Sequence, residues 1–282
     1  MLVVDRSGSM DQPGSDGVRK WDALRASLES VTASLTASVE FGLMMFPSNP
    51  NADSCSGGGQ IFGLAKNNAS QIAGRLDSTT PNGGTPTAVT LNTARDILAA
   101  IVPDGRPLAV LLATDGAPNC NGNLHRNSCT CTTGNPNPPC GQDSNCLDDT
   151  NAINGVAAIE ALGVNTFVLG LPGTENFAPV LTNMAIAGRS GHFYAASDQA
   201  GLQQAVEAIA QQVLTCRVNV GAGLDGANSV TVRVGRQTIA RDGGRQNGWD
   251  QTSPTSIELF GSACDLAASS AENVVVRTCV SP

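Results

Sequence analysis

Leu2-Val3-Val4-Asp5-Arg6-Ser7-Gly8-Ser9-Met10 stands at the head of the chain, directly after Met1. Three apolar residues run unbroken into an aspartate, and small polar residues follow. That is a buried strand stopping at a loop. Next along the chain, Trp21, Leu24, Leu28, Val31 and Leu35 recur at steps of three and four between Val18 and Ala37, an amphipathic helix. Residues 39–46 make the next strand, closed by Pro47, and residues 50–60 read as a Gly-, Asn- and Ser-rich loop. Helices follow around 66–76 and from about Pro86 to Ile101, with Pro86 near a helix start, where its missing N–H costs nothing. Residues 108–113 are continuously apolar and end at Thr114-Asp115-Gly116. A helix at 148–162, a strand at 165–170, a helix at 175–187, a strand at 191–195 and a helix at 198–214 complete the alternation. Continuous apolar strands between helices predict an α/β fold over 1–215: a Rossmann-like doubly wound, mostly parallel sheet with helices on both faces. Beyond Cys216 the runs at 218–220, 230–234, 256–260 and 274–276 are short and often alternating, which predicts a small β-rich module over 216–282 with Trp249 in its core. So small a core is marginal alone.

Three polar segments fall at the carboxyl ends of predicted strands: Asp5-Arg6-Ser7-Gly8-Ser9, Gly83-Gly84-Thr85-Pro86-Thr87 and Thr114-Asp115-Gly116. In an open α/β sheet those ends form the crevice where ligands bind. Two carboxylates and three hydroxyls converging there are hard oxygen donors, suited to Mg²⁺, Mn²⁺ or Ca²⁺ and not to zinc. As single residues they could equally be helix caps and turn residues, but caps do not account for all three segments at one sheet edge.

In this order the segments resemble the metal-ion-dependent adhesion site of the von Willebrand factor A family, written Asp-x-Ser-x-Ser, then Thr, then Asp. The matching positions are Asp5, Ser7, Ser9, Thr85 and Asp115, and the resemblance covers roughly residues 1–215. It implies that the Ser7, Ser9 and Thr85 hydroxyls contact a divalent ion, directly or nearly so, while Asp5 and Asp115 act mainly through bound waters. The ion, Mg²⁺ or else Mn²⁺ or Ca²⁺, would keep an open position for an Asp or Glu carboxylate of a protein partner. The expected function is metal-dependent adhesion or protein binding. The second expectation is a structural component of a surface or envelope assembly, in which the metal only stabilises loops. Enzyme readings compete poorly. Phosphoaspartyl transfer wants a second Asp where Ser7 stands, and a serine nucleophile needs a base, for which only His125 and His192 are on offer. Gly57-Gly58-Gly59 lacks the following Lys-Ser/Thr of a phosphate loop.

Composition narrows the partners. With 16 Lys+Arg against 24 Asp+Glu, the net charge of −8 excludes a generally basic surface for nucleic acid or anionic lipid. No run approaches the ~20 apolar residues of a membrane helix. Nine cysteines point to an oxidising location, extracellular, cell-surface or periplasmic. The chain starts inside a predicted strand with no export signal, the expectation for a fragment or a mis-started reading frame, so export is inferred from the cysteines alone. Residues 116–147 form an insertion carrying Cys120, Cys129, Cys131, Cys140 and Cys146. Their spacing lacks the paired two-residue gaps of zinc modules, so with Cys55 they are expected to form disulfides. Because it leaves from Asp115, this loop is expected to frame the metal and choose the partner, through residues around Asn119, Asn121 and His125. Cys264 is expected to pair with Cys279. That leaves Cys216 for a partner upstream of Met1, with Cys264 or Cys55 as alternatives. Asp143, Asp148 and Asp149 read as helix-start residues rather than a second calcium site, and Lys20, Arg25 and Arg75 as solvated helix faces.

Overall fold

The computed structural model describes residues 1–37, 39–101, 108–220, 224, 229–254, 256–269 and 274–279. They fall into two compact units, one of Met1–Ile101 with Ala109–Val206 and one running from Glu207 onward. In the first unit, strands β1 (Leu2–Asp5), β2 (Phe41–Phe46), β3 (Gly59–Ala65), β4 (Ala109–Thr114), β5 (Asn165–Gly170) and β6 (Tyr194–Ala195) form one sheet in the order β3-β2-β1-β4-β5-β6. Every pairing is parallel except β2 with β3. Helices α1 (Lys20–Leu35), α2 (Ala69–Asp77), α3 (Thr87–Ala99), α4 (Asp149–Glu160), α5 (Ala178–Ala187) and α6 (Gln199–Thr215) alternate with the strands except that β2 and β3, and then α2 and α3, are consecutive; α6 runs on past Val206.

The strand cores explain the parallel sheet. Val3, Leu43, Met44, Leu112 and Val168 are fully buried, as strands covered on both faces must be. α1 buries Trp21, Leu24, Leu28 and Val31, the stripe its three- and four-residue spacing predicts. The doubly wound reading therefore holds. Two details differ from it. β3 lies in and beyond what reads as a loop, because Gly59–Ala65 neither alternates nor stays apolar. It is a half-exposed edge strand held to β2 by antiparallel backbone pairing with register shifts. The glycine run before it closes onto α3, with Gly58 N donating to Thr90 Oγ1 at 2.9 Å. β6 is only two residues long, paired through Tyr194 and Ala195 to the end of β5.

From β1 the chain moves outward to β2 on one side, and β4 later adds to the other side of β1. The loops leaving β1 and β4 thus diverge over opposite faces of the sheet. This switch point opens a crevice at the carboxyl ends of both strands, where Asp5 and Thr114-Asp115 sit.

The second unit contains two antiparallel three-stranded sheets. One joins β7 (Arg217–Asn219), β11 (Ser256–Phe260) and β10 (Gly248–Ser253). The other joins β9 (Gln237–Ile239), β8 (Ser229–Val234) and β12 (Val274–Cys279). Helix α7 (Ser262–Ser269) lies between β11 and β12 in sequence. Val232, Val234, Ile239, Trp249, Ile257 and Leu259 form the core with Cys216 and Cys264, so Trp249 is a core residue. The pairing of Cys264 with Cys279 is corrected: Cys264 is bonded to Cys216. Antiparallel pairing of β7 with β11 sets Cys216 beside the end of β11, where Leu259 N donates to Cys216 O, and α7 then turns Cys264 inward to a Cα–Cα separation of 5.1 Å. Cys216 thus finds its partner within the chain. The Cys279 side chain lies outside the described residues.

Candidate metal centre

The five oxygen-bearing residues come from three loops that the backbone ties together. Gly8 N donates to Gly83 O at 2.9 Å and Asn82 N to Arg6 O at 2.8 Å, fastening the first loop to the second. At the end of β1, Asp5 Oδ1 accepts from Ser7 N at 2.7 Å and Oδ2 from Thr114 Oγ1 at 2.6 Å. A 3-10 turn at Gly8–Asp11 brings the Ser7 and Ser9 hydroxyls to 3.0 Å from each other, and Ser9 Oγ donates to Asp115 Oδ1 at 2.8 Å. Thr85 completes the set. A Cβ placed on Gly116 would stand 3.9 Å from Ser9 Oγ and 4.0 Å from Thr85 Oγ1. The missing side chain at Gly116 keeps that ground clear between two of the hydroxyls. Asp5, Ser7, Thr85 and Asp115 are buried, while Ser9 is exposed, so the cluster opens toward solvent on the Ser9 side.

The electrostatics favour a cation. Burial first, and then the charge of Asp115, push the Asp5 carboxyl up to about 7, against the opposing hydrogen bonds from Thr114 and Ser7. Asp5 has no ion-pair partner among the described residues. A buried carboxylate beside a second carboxylate and three hydroxyls, with clear space between, fits a hard divalent ion by donor chemistry.

Lys20 is not on a solvated face. It is buried, and its Nζ donates to Asp115 Oδ2 at 2.8 Å. The signal for this was its place beside Trp21, on the turn of α1 that enters the core. Thr114, which holds Asp5, was legible only as the neighbour of Asp115.

Residues 116–147 are stapled by three disulfides, Cys55–Cys120, Cys129–Cys146 and Cys131–Cys140. The Cys129, Cys140 and Cys146 sulfurs lie within 4.8 Å of one another, but each is spent in a disulfide. Of the three residues expected to contact a partner, Asn119 is buried and turned inward. Its Oδ1 accepts from Thr85 N at 2.8 Å, its own N donates to Thr85 O at 2.9 Å, and its Nδ2 reaches Thr132 Oγ1 at 3.1 Å. Asn121 is half-buried and donates through Nδ2 to Asp148 Oδ1 at 2.9 Å. His125 is exposed, with Nδ1 accepting from Asn127 N at 3.3 Å. The carboxylates of Asp143, Asp148 and Asp149 accept from Arg126 N, from Asn121 and Asn151, and from Thr150 N respectively.

Residues 1–117 match the family described as von Willebrand factor type A domain. Over those residues the chain is similar to von Willebrand factor A domains. Among curated proteins it is similar to YwmC of Bacillus subtilis, 28% identical over 128 residues, which cover 43% of this chain and 56% of YwmC. The matched part thus spans about half of that relative. Among solved structures it is similar to the pilus adhesin SpaC from Lactobacillus rhamnosus GG, with TM-score 0.56 and 18% identity over 93% of this chain and 38% of SpaC. It is also similar to the vWF domain of the type V pili tip protein Mfa5 from Porphyromonas gingivalis, with TM-score 0.54 and 15% identity over 76% of this chain and 93% of that one. A third is proximal thread matrix protein 1 from the mussel byssus, solved with a zinc-occupied MIDAS motif: TM-score 0.51 and 17% identity over 79% of this chain and 50% of that one. At these identities the structural likeness shows the von Willebrand factor A fold alone.

Proposed function

We propose that this von Willebrand factor A-like domain is an extracellular or surface-located adhesion module. A divalent cation, Mg²⁺ or else Mn²⁺ or Ca²⁺, would be held by Asp5, Ser7, Ser9, Thr85 and Asp115. One observation carries the reading: five hard oxygen donors from three separate loops meet around space left clear at Gly116, with the buried Asp5 lacking an ion-pair partner among the described residues. When bound, the ion supplies an electron-poor centre that accepts a carboxylate of a protein partner. The chain's own residues do the rest. Thr114 and the Ser7 amide fix the two Asp5 oxygens, Ser9 lies at the open side, and Asn119 holds Thr85 in place. Binding, not turnover, is the expected output. The likeness to pilus adhesins favours this reading, and the four disulfides among the described residues suit an oxidising exterior.

A second reading, a structural component whose metal only stabilises the loops, draws support from the likeness to a byssus matrix protein. One titration separates them. EDTA-stripped protein is titrated calorimetrically with Mg²⁺, Mn²⁺ and Ca²⁺ beside Asp5→Ala and Thr85→Ala, with circular dichroism on each. The adhesion reading expects one site, lost in both variants with the fold intact. Wild-type protein that binds none of the three ions overturns the metal-bridged reading. Thr85→Ala that unfolds instead moves the structural reading ahead.

A further inference from the structure

Lys20 stands where two physical effects oppose it. It is the first residue of α1, at the positive end of the helix dipole, where a cation is disfavoured. It is also buried, and a buried ammonium is costly unless it is paired. Its neighbour Arg19 takes the ordinary course, half-buried and paired with Asp11 and Asp22. Lys20 instead reaches across to Asp115, whose side chain is fully buried, at 2.8 Å. Room for the ammonium is provided by Gly173 at φ +108, where an added Cβ would stand 2.7 Å from Lys20 Nζ. Both Asp115 oxygens are therefore engaged, Oδ1 by Ser9 and Oδ2 by Lys20.

From this geometry we infer that Lys20 is a specificity-determining residue of the metal centre, acting by cancelling the charge of Asp115. The inference rests on the metal reading above. Asp5 and Asp115 bring two negative charges and Lys20 returns one positive charge, so the protein part of the centre is singly negative. A divalent ion there keeps a surplus positive charge, which strengthens its attraction for an anionic ligand and weakens the protein's hold on the ion. The same ammonium steadies Asp115 when no ion is bound, so that two buried carboxylates do not face each other uncompensated.

The test compares wild type with Lys20→Gln, which keeps a donor for Asp115 without the charge, and with Lys20→Met, which removes both. Mn²⁺ affinity is measured calorimetrically, and the melting temperature is read in EDTA and in Mn²⁺. Acetate is then titrated into the Mn²⁺-loaded proteins, following water-proton relaxation. Both variants should bind Mn²⁺ at least about tenfold more tightly than wild type. They should gain more melting temperature from Mn²⁺ than wild type does, and their bound ion should take acetate several-fold more weakly. Folded variants whose Mn²⁺ affinity equals or falls below that of wild type overturn the role of Lys20 and leave the metal reading standing. If neither wild type nor variants bind Mn²⁺, both fall. A variant that folds only in the presence of Mn²⁺ supports the charge-compensating role, whereas variants that fold under neither condition overturn it in favour of plain core packing.

Discussion

Replacing Asn119 with alanine removes a clamp on Thr85 without touching any of the five oxygen donors. Thr85 N is buried and donates at 2.8 Å to Asn119 Oδ1, and in the Ala variant that N–H loses its acceptor. A buried donor left unpaired costs about 1–3 kcal/mol. The reciprocal backbone bond, Asn119 N to Thr85 O at 2.9 Å, survives, so the Thr85 loop loosens rather than detaches. At about 2 kcal/mol, the melting temperature should fall by roughly 4–8 °C for a domain of this size. Mn²⁺ affinity should fall with it, because a threonine hydroxyl free to wander spends less time where an ion needs it. Asn119→Asp keeps an acceptor facing Thr85 N and should retain most of the metal affinity. The assay is differential scanning calorimetry paired with Mn²⁺ titration on wild type, Asn119→Ala and Asn119→Asp. Unchanged melting and unchanged affinity in the Ala variant would refute the clamp. If only binding of a protein partner then failed, Asn119 would be the contact residue that its loop position suggests.

Acid–base linkage at Asp5 has a definite sign. Its carboxyl sits at about 7 in the folded protein, far above the ordinary carboxylate value near 4. The folded state therefore holds this proton more tightly than the unfolded chain. The resulting stability is complete below about pH 4 and is lost as the pH rises through about 7. Melting of EDTA-treated protein should drop between about pH 4 and about pH 7, less so in Asp5→Asn, and Mn²⁺ affinity should weaken as the pH falls below 7; an identical pH slope in Asp5→Asn would sink the assignment. The disulfides should differ by loop size. Cys55–Cys120 spans a sequence separation of 65 and Cys131–Cys140 one of 9. Chain entropy then predicts losses of roughly 4 and roughly 2.5 kcal/mol for the paired serine variants. Only the first should also weaken Mn²⁺ binding, since Cys120 adjoins Asn119, and equal effects on both counts would contradict the proposed coupling.

What the sequence made legible follows from where side chains alone determine the outcome. Val3, Leu43, Leu112 and Val168 belong to strands buried on both faces, and such strands must be continuously apolar, so the parallel sheet could be read directly. Asp5, Ser7, Ser9 and Asp115 could be read because they end or follow the apolar strands β1 and β4, whereas Thr85, expected at a strand end, stands in the segment between α2 and α3. β3 could not, because an edge strand is held by backbone pairing, and Gly59–Ala65 needs no pattern to pair with β2. α7 was hidden for a similar reason: Ala263, Cys264 and Ala267 are too small to give an apolar stripe, yet they pack into the core. The Cys216–Cys264 bond depends on which strand β7 chooses, which is a tertiary fact. Lys20 reads as a surface residue because a charged residue on a helix normally faces water. Only Asp115, far away in sequence, makes its burial tolerable.

Lys20 and Asn119 each hold one of the five donors in place, and each does so from outside the motif. Lys20 reaches Asp115 from the first turn of α1, and Asn119 reaches Thr85 from the first residues of the stapled insertion. Cys120, next to Asn119, is in turn bonded to Cys55, in the loop whose Ser54 O accepts from Gly84 N at 2.7 Å. Thr85 is therefore gripped on both sides by segments that a disulfide joins. A loop attached this way cannot shift independently of the hydroxyl beside it. Whatever displaces the insertion, a bound partner included, must strain the Asn119–Thr85 bonds or carry Thr85 along. The insertion is thus mechanically continuous with the candidate metal centre, and a partner that touched only the insertion would still be felt at Thr85.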